Sequence, residues 1–72
     1  MREELIRARG SNTQVNVAAQ IGISQKYLSK LELGKRTPSM KIAARIASYY
    51  QSTIERLFPD VFAGEKSPKS SI

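Results

Sequence analysis

Cysteine and histidine are both absent from the 72-residue sequence. Without cysteine the chain has neither a disulfide framework nor a thiolate nucleophile, which is compatible with a reducing cytoplasm. Without either residue a zinc site lacks its usual ligands, and the most common catalytic base is missing. The six acidic residues are scattered along the chain. We therefore expect no metal, no cofactor and no enzymatic activity.

Long apolar runs are missing as well. No stretch approaches the roughly 18 consecutive apolar residues of a membrane span. The N-terminal sequence MREELIRARG has no apolar segment of the kind that a signal peptide requires. These two absences predict a cytoplasmic protein that is not exported and has no membrane partner.

Negative charge is scarce, because 12 lysine and arginine residues outnumber 6 acids and the net charge is +6. This balance favours a polyanionic partner, since neutralising phosphates releases condensed counterions and gives affinity that does not depend on sequence. Ribosomal and membrane-surface proteins share the same balance, so charge alone does not choose among them. The chain is long enough for one small domain with a modest core, without a large enclosed active site.

Residues 14–34 predict two short helices joined by a tight turn. Gly22 ends the first helix, because glycine adopts a positive φ at little cost. Ser24 can cap the free N–H groups of the second helix. A connection of about three residues brings the two apolar stripes together in helix-turn-helix geometry. The positions that face inward are Val17, Ala18, Ile21, Leu28 and Leu31.

The opposite face of the second of these helices, residues 24–33, is largely polar and basic. Lysine can reach guanine O6 and N7, glutamine can pair with adenine N6 and N7, and serine can serve either base. On composition alone a solvated surface is the simpler interpretation, and the turn before the helix shifts the balance towards base reading. The residues on this face are Gln25, Lys26, Ser29, Lys30 and Leu33.

Four cations lie in the loop and the predicted helix that come directly after this helix. Lys35 and Arg36 lie in the loop over residues 34–39. A loop directly after a reading helix lies near whatever the helix contacts, so both are candidate phosphate contacts. The alternative is ordinary solvent-exposed charge. Lys41 and Arg45 share a face of the next predicted helix, where solvation is the default.

Helices are also predicted on both sides of this unit. A first helix over residues 2–9 has acids near its N-terminus and arginines near its C-terminus. Thr13 is well placed to cap the helix that begins at Gln14. A fourth helix follows the loop, capped by Thr37 or Ser39 with Pro38 in its first turn. Its core stripe consists of Ile42, Ala43, Ile46, Ala47 and Tyr50.

The rest of the chain predicts a short fifth helix and a tail. Ser52 with Glu55 fits a capping box at the start of this helix, and Thr53 is the alternative cap. Residues 63–72 are small, polar and proline-containing, which predicts a flexible polar C-terminal tail. The residues expected to close the core are Ile54, Leu57 and Phe58.

Residues 7–58 resemble the Cro/cI-type helix-turn-helix domain of the xenobiotic-response-element (Xre) family of transcriptional regulators. The run YLSKLELGKRTPS, residues 27–39, looks like the most recognisable segment of that family. The residues that match its small position, turn glycine and two core positions are Ala18, Gly22, Leu28 and Leu31. The resemblance implies an all-α fold: a compact five-helix lambda-repressor-like DNA-binding domain over residues 1–62, with the helix-turn-helix at helices 2 and 3.

The resemblance also implies roles for individual residues. Gln14 would clamp a phosphate and brace the reading helix. Arg7 and Glu32 match a family pair that bridges helices 1 and 3, so Glu32 is expected to be structural. The base-reading set comprises Gln25, Lys26, Ser29 and Lys30, although the resemblance alone would put Ser29 at the edge of the groove. The expected phosphate or groove-edge contacts are Gln14, Ser24, Tyr27, Lys35 and Arg36.

Some positions depart from the family pattern. Residues 11–12 stand where glycine and leucine are common, so Gly10 is expected to make that turn. Gln51 and Ser52 replace a usual glycine–valine pair before the last helix. Leu33 is apolar where a polar residue is common, which leaves its role open.

The implied function is that of a sequence-specific double-stranded DNA-binding transcriptional regulator. It would be a repressor-type switch protein, a homodimer on a pseudo-palindromic operator, and nucleoid-associated when bound. Two half-sites about one helical turn, roughly 34 Å, apart double the sequence that is read. The dimer surface is expected at the last helix and just after it, at Val61 and Phe62.

Other classes of function remain open. An antitoxin-like or anti-repressor module on the same fold would work through a regulatory protein partner, because fold does not fix function. RNA binding is disfavoured, since single-stranded readers usually offer exposed stacking aromatics and the aromatics here fall mostly in core stripes.

Overall fold

The computed structural model describes residues 1–63, with side chains described as far as Val61, and everything in it that is regular is helical. This confirms the predicted all-α class. Of the predicted C-terminal tail, residues 63–72, only Ala63 is described, at the end of the last helical turn, and residues 64–72 lie outside the described residues. The helices are α1 (Glu3–Arg9), α2 (Gln14–Ile21), α3 (Gln25–Leu33), α4 (Met40–Tyr50) and α5 (Ile54–Leu57), followed by one π-helical turn (Pro59–Ala63).

A single apolar core lies where the helices meet. Helices α2 and α3 pack against each other, α1 packs against α3 and α5, and α4 packs against α2 and α5. Every inward position predicted for α2 and α3 is buried, whereas Ile42, Tyr50 and Ile54 are half-buried at the margin. The buried apolar residues are Leu5, Val17, Ala18, Ile21, Leu28, Leu31, Ala43, Ile46, Ala47, Leu57 and Phe58.

Hydroxyl side chains cap the starts of α2, α3, α4 and α5. The Thr13 and Ser24 hydroxyls each accept a backbone N–H at 3.0 Å, as predicted. Ser39, rather than Thr37, caps α4. The residue expected in the first turn of α4, Pro38, instead precedes the cap and is buried. That part of the prediction is wrong, because the helix begins at Met40, two residues after Pro38.

The capping box predicted from Ser52 and Glu55 is also wrong. Thr53 caps α5, because its hydroxyl accepts the backbone N–H of Arg56 at 3.1 Å. With Thr53 at the cap, the third helical residue is Arg56, so no glutamate stands where a capping box needs one.

The end of α2 depends on a glycine and an arginine. Gly22 has φ +95°, as predicted for the turn, and a Cβ added there would lie 2.9 Å from Nη2 of Arg45. That Arg45 nitrogen donates a 2.7 Å hydrogen bond to the carbonyl oxygen of Ile21. The sequence predicted simple solvation for Arg45, and the structure shows a hydrogen bond instead. It satisfies one of the carbonyls that a helix C-terminus leaves unpaired.

The turn after α4 places Gln51 in the left-handed region, with φ +55° and ψ +47°. Gln51 is the only residue other than glycine with positive φ in the described part of the chain. A left-handed conformation costs a residue with a Cβ about 1–2 kcal/mol. Gln51, which stands where the family usually has glycine, therefore adopts a strained backbone conformation.

Replacing Gln51 by glycine should raise the free energy of unfolding by about 0.5–1 kcal/mol, because relief of the strain exceeds the added entropy of the unfolded chain. Urea unfolding followed by circular dichroism measures the change. Gln20→Gly, at an exposed position within α2, is the matched control and should lose about 1 kcal/mol. Equal losses in both variants would contradict strain at Gln51.

Candidate nucleic-acid interface

The outward face of α3 is built from the same local signals that start the helix. Ser24 caps α3 by accepting the Tyr27 N–H, and Leu28 and Leu31, both 0% exposed, fix the inward side. The periodicity of the helix then directs the intervening side chains away from the core. Of the predicted base-reading residues, Gln25, Lys26 and Lys30 are exposed and Ser29 is half-buried.

Gln14 braces the start of α3, as the family resemblance implied. The Gln25 side-chain nitrogen donates to Oε1 of Gln14 at 2.7 Å, and Gln14 Nε2 donates to Oε1 of Glu32 at 2.9 Å. A glutamine amide has two N–H donors and one oxygen acceptor. Gln25 therefore keeps one N–H and its oxygen for a ligand, the pair that recognises adenine N7 and N6.

Glu32 anchors this network from inside the fold. The residue is 2% exposed, and its carboxylate accepts from Arg9 Nε at 2.7 Å and from Arg9 Nη2 at 3.1 Å. The hydrogen bonds to Glu32 raise the pKa of Arg9. We name the connected side chains Arg9, Glu32, Gln14 and Gln25 the α3 network. The structural role expected for Glu32 agrees with its burial.

The arginine predicted to pair with Glu32 was the wrong one. Arg7 instead pairs with Glu4 within α1, where its side chain is exposed. The reason is helical phase. Leu5 is buried, and Arg9 lies four residues later on the same face, whereas Arg7 lies two residues later and points away.

Tyr50 lies beside the α3 network without joining it. Its hydroxyl is buried and has no hydrogen-bond partner among the described residues. Burial and the charge of Glu32 raise its pKa to about 12. The ring packs against the core, which agrees with its predicted place in the core stripe.

The loop after α3 brings two predicted contact residues together. Gly34, at φ +81°, ends α3, and Lys35 donates its backbone N–H to the Lys30 carbonyl at 2.9 Å. Lys35 and Arg36 are both exposed. The guanidinium carbon of Arg36 lies 5.9 Å from the centroid of the Tyr27 ring, a cation–π distance.

Sequence reasoning missed Arg2, which reaches this loop from the N-terminus. The residue is 5% exposed, and its Nη1 donates to the carbonyl oxygens of Leu31 at 2.6 Å and Arg36 at 2.9 Å. One signal was present in the sequence: a cation at the start of α1 opposes the helix dipole, so another interaction must hold it there.

Other features constrain what the surface can bind. Within residues 1–63, no group of acidic, histidine or cysteine side chains is arranged to hold a metal ion. No helix in that range is long and apolar enough to cross a membrane. Leu33, whose role the sequence left open, is 43% exposed and lies along a surface groove of about 470 Å³ with Met1, Pro59 and Asp60.

Comparison with known proteins agrees with this geometry. A family model described as helix-turn-helix matches residues 4–57. An uncharacterized HTH-type transcriptional regulator of Methanocaldococcus jannaschii is 36% identical over 52 residues, which cover 72% of this chain and 79% of that protein. An uncharacterized HTH-type transcriptional regulator of Archaeoglobus fulgidus is also 36% identical over 52 residues, covering 72% of this chain and 73% of the relative. No solved structure matches the chain significantly.

The chain belongs to the helix-turn-helix family, and the Xre-type resemblance seen in the sequence is confirmed. Family membership makes it a DNA-binding transcription regulator by class, rather than an enzyme. The matched residues include all of α2 and α3, which are the elements that carry most of the predicted contacts.

Proposed function

We propose that this protein is a sequence-specific repressor that reads the major groove of double-stranded DNA with α3. The observation that carries the proposal is the α3 network, which holds Gln25 at the start of an exposed face that also bears Lys26 and Lys30. A helix-turn-helix protein places the N-terminal residues of its second helix against base edges. Gln14 braces α3 at this N-terminal end, through its hydrogen bond with Gln25.

Base reading would be divided among the four side chains of this face. Gln25, with one N–H and its oxygen still available, suits adenine. Lys26 and Lys30 suit guanine, and Ser29 can serve either base at close range. Each good contact is worth about 1–3 kcal/mol of discrimination against the wrong base. A single α3 therefore reads only a few base pairs.

Phosphate contacts would set the position of α3 in the groove. Lys35 and Arg36 follow α3 directly, and Gln14 and Ser24 lie at the N-terminal ends of α2 and α3. Free N–H groups at helix N-termini also favour phosphate. Tyr27 supports Arg36 from the edge of the groove. These contacts fix register without carrying sequence information.

Two copies of the chain would bind together on a pseudo-palindromic operator. One reading helix gives too little discrimination against a genome of competing sites, and a twofold-symmetric pair doubles the number of bases read. We place the dimer surface at α5 and the Pro59–Ala63 turn. Repression would then follow from occupation of the operator.

The test is selection of bound sequences from a random duplex library at physiological salt. Enrichment of a palindrome with half-sites about 10 base pairs apart is the expected result. The Lys26→Ala/Lys30→Ala double variant, run in parallel, should lose the motif. If wild type enriches no sequence, the proposal of a sequence-specific regulator fails. Absence of any DNA retention at low salt would favour the protein-interaction alternative.

A further inference from the structure

Arg2 uses its guanidinium to join three parts of the chain. Nη1 donates to the carbonyls of Leu31, in α3, and Arg36, in the loop. Nε and Nη2 donate to the two carboxylate oxygens of Asp60 at 3.0 Å each. The guanidinium also lies 5.3 Å from the centroid of the Phe58 ring. Four of the five N–H donors of an arginine are therefore committed within the fold.

The bond to Arg36 falls where no backbone–backbone hydrogen bond holds the described loop. Within residues 1–63, backbone hydrogen bonds outside the helices stop at Lys35 and resume at Ser39. The Arg2 guanidinium thus holds the main chain at Arg36, and the burial of Pro38 holds the segment two residues later. The side chain of Arg36 extends from that main chain towards Tyr27.

Asp60 in turn fixes Arg2. A bidentate arginine–carboxylate contact is stronger and more directional than a single hydrogen bond. The Arg2 hydrogen bonds hold the pKa of Asp60 below its usual range. The side chain of Arg2 is 4% exposed, whereas the side chain of Asp60 is 56% exposed. The carboxylate therefore holds a buried cation from the surface of the Pro59–Ala63 turn.

We propose that Arg2, held by Asp60, is a positioning residue for DNA binding: it fixes the loop main chain so that the Arg36 side chain meets a phosphate. This inference rests on the proposed function, because it assumes that the loop contacts DNA. It adds a role for two residues outside the helix-turn-helix, and Asp60 acts on DNA affinity although it is negatively charged.

The test is a double-mutant cycle that combines Asp60→Asn with Arg36→Ala. Affinity for a non-specific duplex is measured by fluorescence anisotropy at several salt concentrations, well below the unfolding temperature. Asp60→Asn should lower affinity roughly threefold to tenfold, although it removes a negative charge. It should also flatten the salt slope by about one unit, as loss of one phosphate contact does. The double variant should bind no more weakly than Arg36→Ala alone.

Glu3→Gln is the matched control. Glu3 is exposed at the start of α1 and borders the same groove as Asp60, so the charge change is equal and nearby. It should leave affinity unchanged or raise it slightly. If Asp60→Asn behaves like Glu3→Gln, or if its effect adds fully to that of Arg36→Ala, the positioning role is wrong.

Arg2→Lys provides a second variant if Asp60→Asn unfolds the domain. Lysine keeps the charge but cannot donate to two carbonyls and a carboxylate in the planar arrangement of arginine. It should show the same coupling to Arg36→Ala, and additive effects would overturn the inference. Failure of wild type to bind DNA would refute the proposed function. Binding by wild type without coupling would refute this inference alone.

Discussion

Replacement of Glu32 by alanine is expected to lower the free energy of unfolding by about 3–5 kcal/mol, the cost of removing one partner from a buried ion pair. The carboxylate accepts three hydrogen bonds, two from Arg9 and one from Gln14. Without it, all three donors lose their partner and a cavity remains. A domain of this size has roughly 4–11 kcal/mol of total stability, so this loss would remove between about a quarter and all of it.

Glu32→Gln makes this prediction more specific. Glutamine keeps the volume and one acceptor oxygen, and should cost less than alanine. Glu3→Gln removes the same charge from an exposed residue at the start of α1 and should change stability by less than about 0.5 kcal/mol. Thermal unfolding by circular dichroism measures all three variants. A Glu32→Ala domain as stable as the Glu3→Gln domain would show that the α3 network contributes nothing to the fold.

Substitution of Lys30 by alanine should cost about 1–3 kcal/mol of binding free energy at particular base pairs of the selected operator. Lys26→Ala should act in the same way at neighbouring positions. Arg36→Ala should instead weaken binding to every duplex and flatten the salt slope by about one unit. The difference follows from the contact proposed for each cation, since base edges carry sequence information and phosphates do not.

Operator variants with single base changes, titrated at two salt concentrations, separate the two kinds of contact. Lys41→Ala is the matched control, because it removes the same charge from an exposed residue of α4. That variant should keep the sequence preference of wild type. If Lys30→Ala and Arg36→Ala reduced binding to every sequence alike, the division into base-reading residues and phosphate contacts would be wrong.

The sequence predicted most of the fold because the decisive signals are local. Thr13 and Ser24 cap helices through their own side chains, Gly22 ends one through its positive φ, and the spacing of Leu28 and Leu31 defines an inward face. Differences of two residues at the start of α4 and one residue at the start of α5 arose where two hydroxyl residues compete to cap one helix. Propensity does not choose between adjacent or near-adjacent caps.

The candidate interface was predicted less completely. The outward position of Lys26 and Lys30 follows from helical periodicity, so the sequence was sufficient. The roles of Arg2, Arg9 and Arg45 were not foreseen, because each depends on a carbonyl or carboxylate that is distant in sequence and near only after folding. Long side chains reach such partners only in the folded chain, and helical periodicity does not predict contacts between residues that are distant in sequence.

The α3 network also bears on how operator preference can change among relatives. Gln25 lies on the exposed face of α3, its amide is oriented by Gln14, Gln14 is oriented by Glu32, and Glu32 is held by Arg9 in α1. In the proposed complex, a substitution at Arg9 would therefore alter which base Gln25 prefers without any change in the residues proposed to read bases. On the proposed function, two homologues with identical α3 faces would not have to share a target, because operator specificity would depend on the whole network rather than on α3 alone.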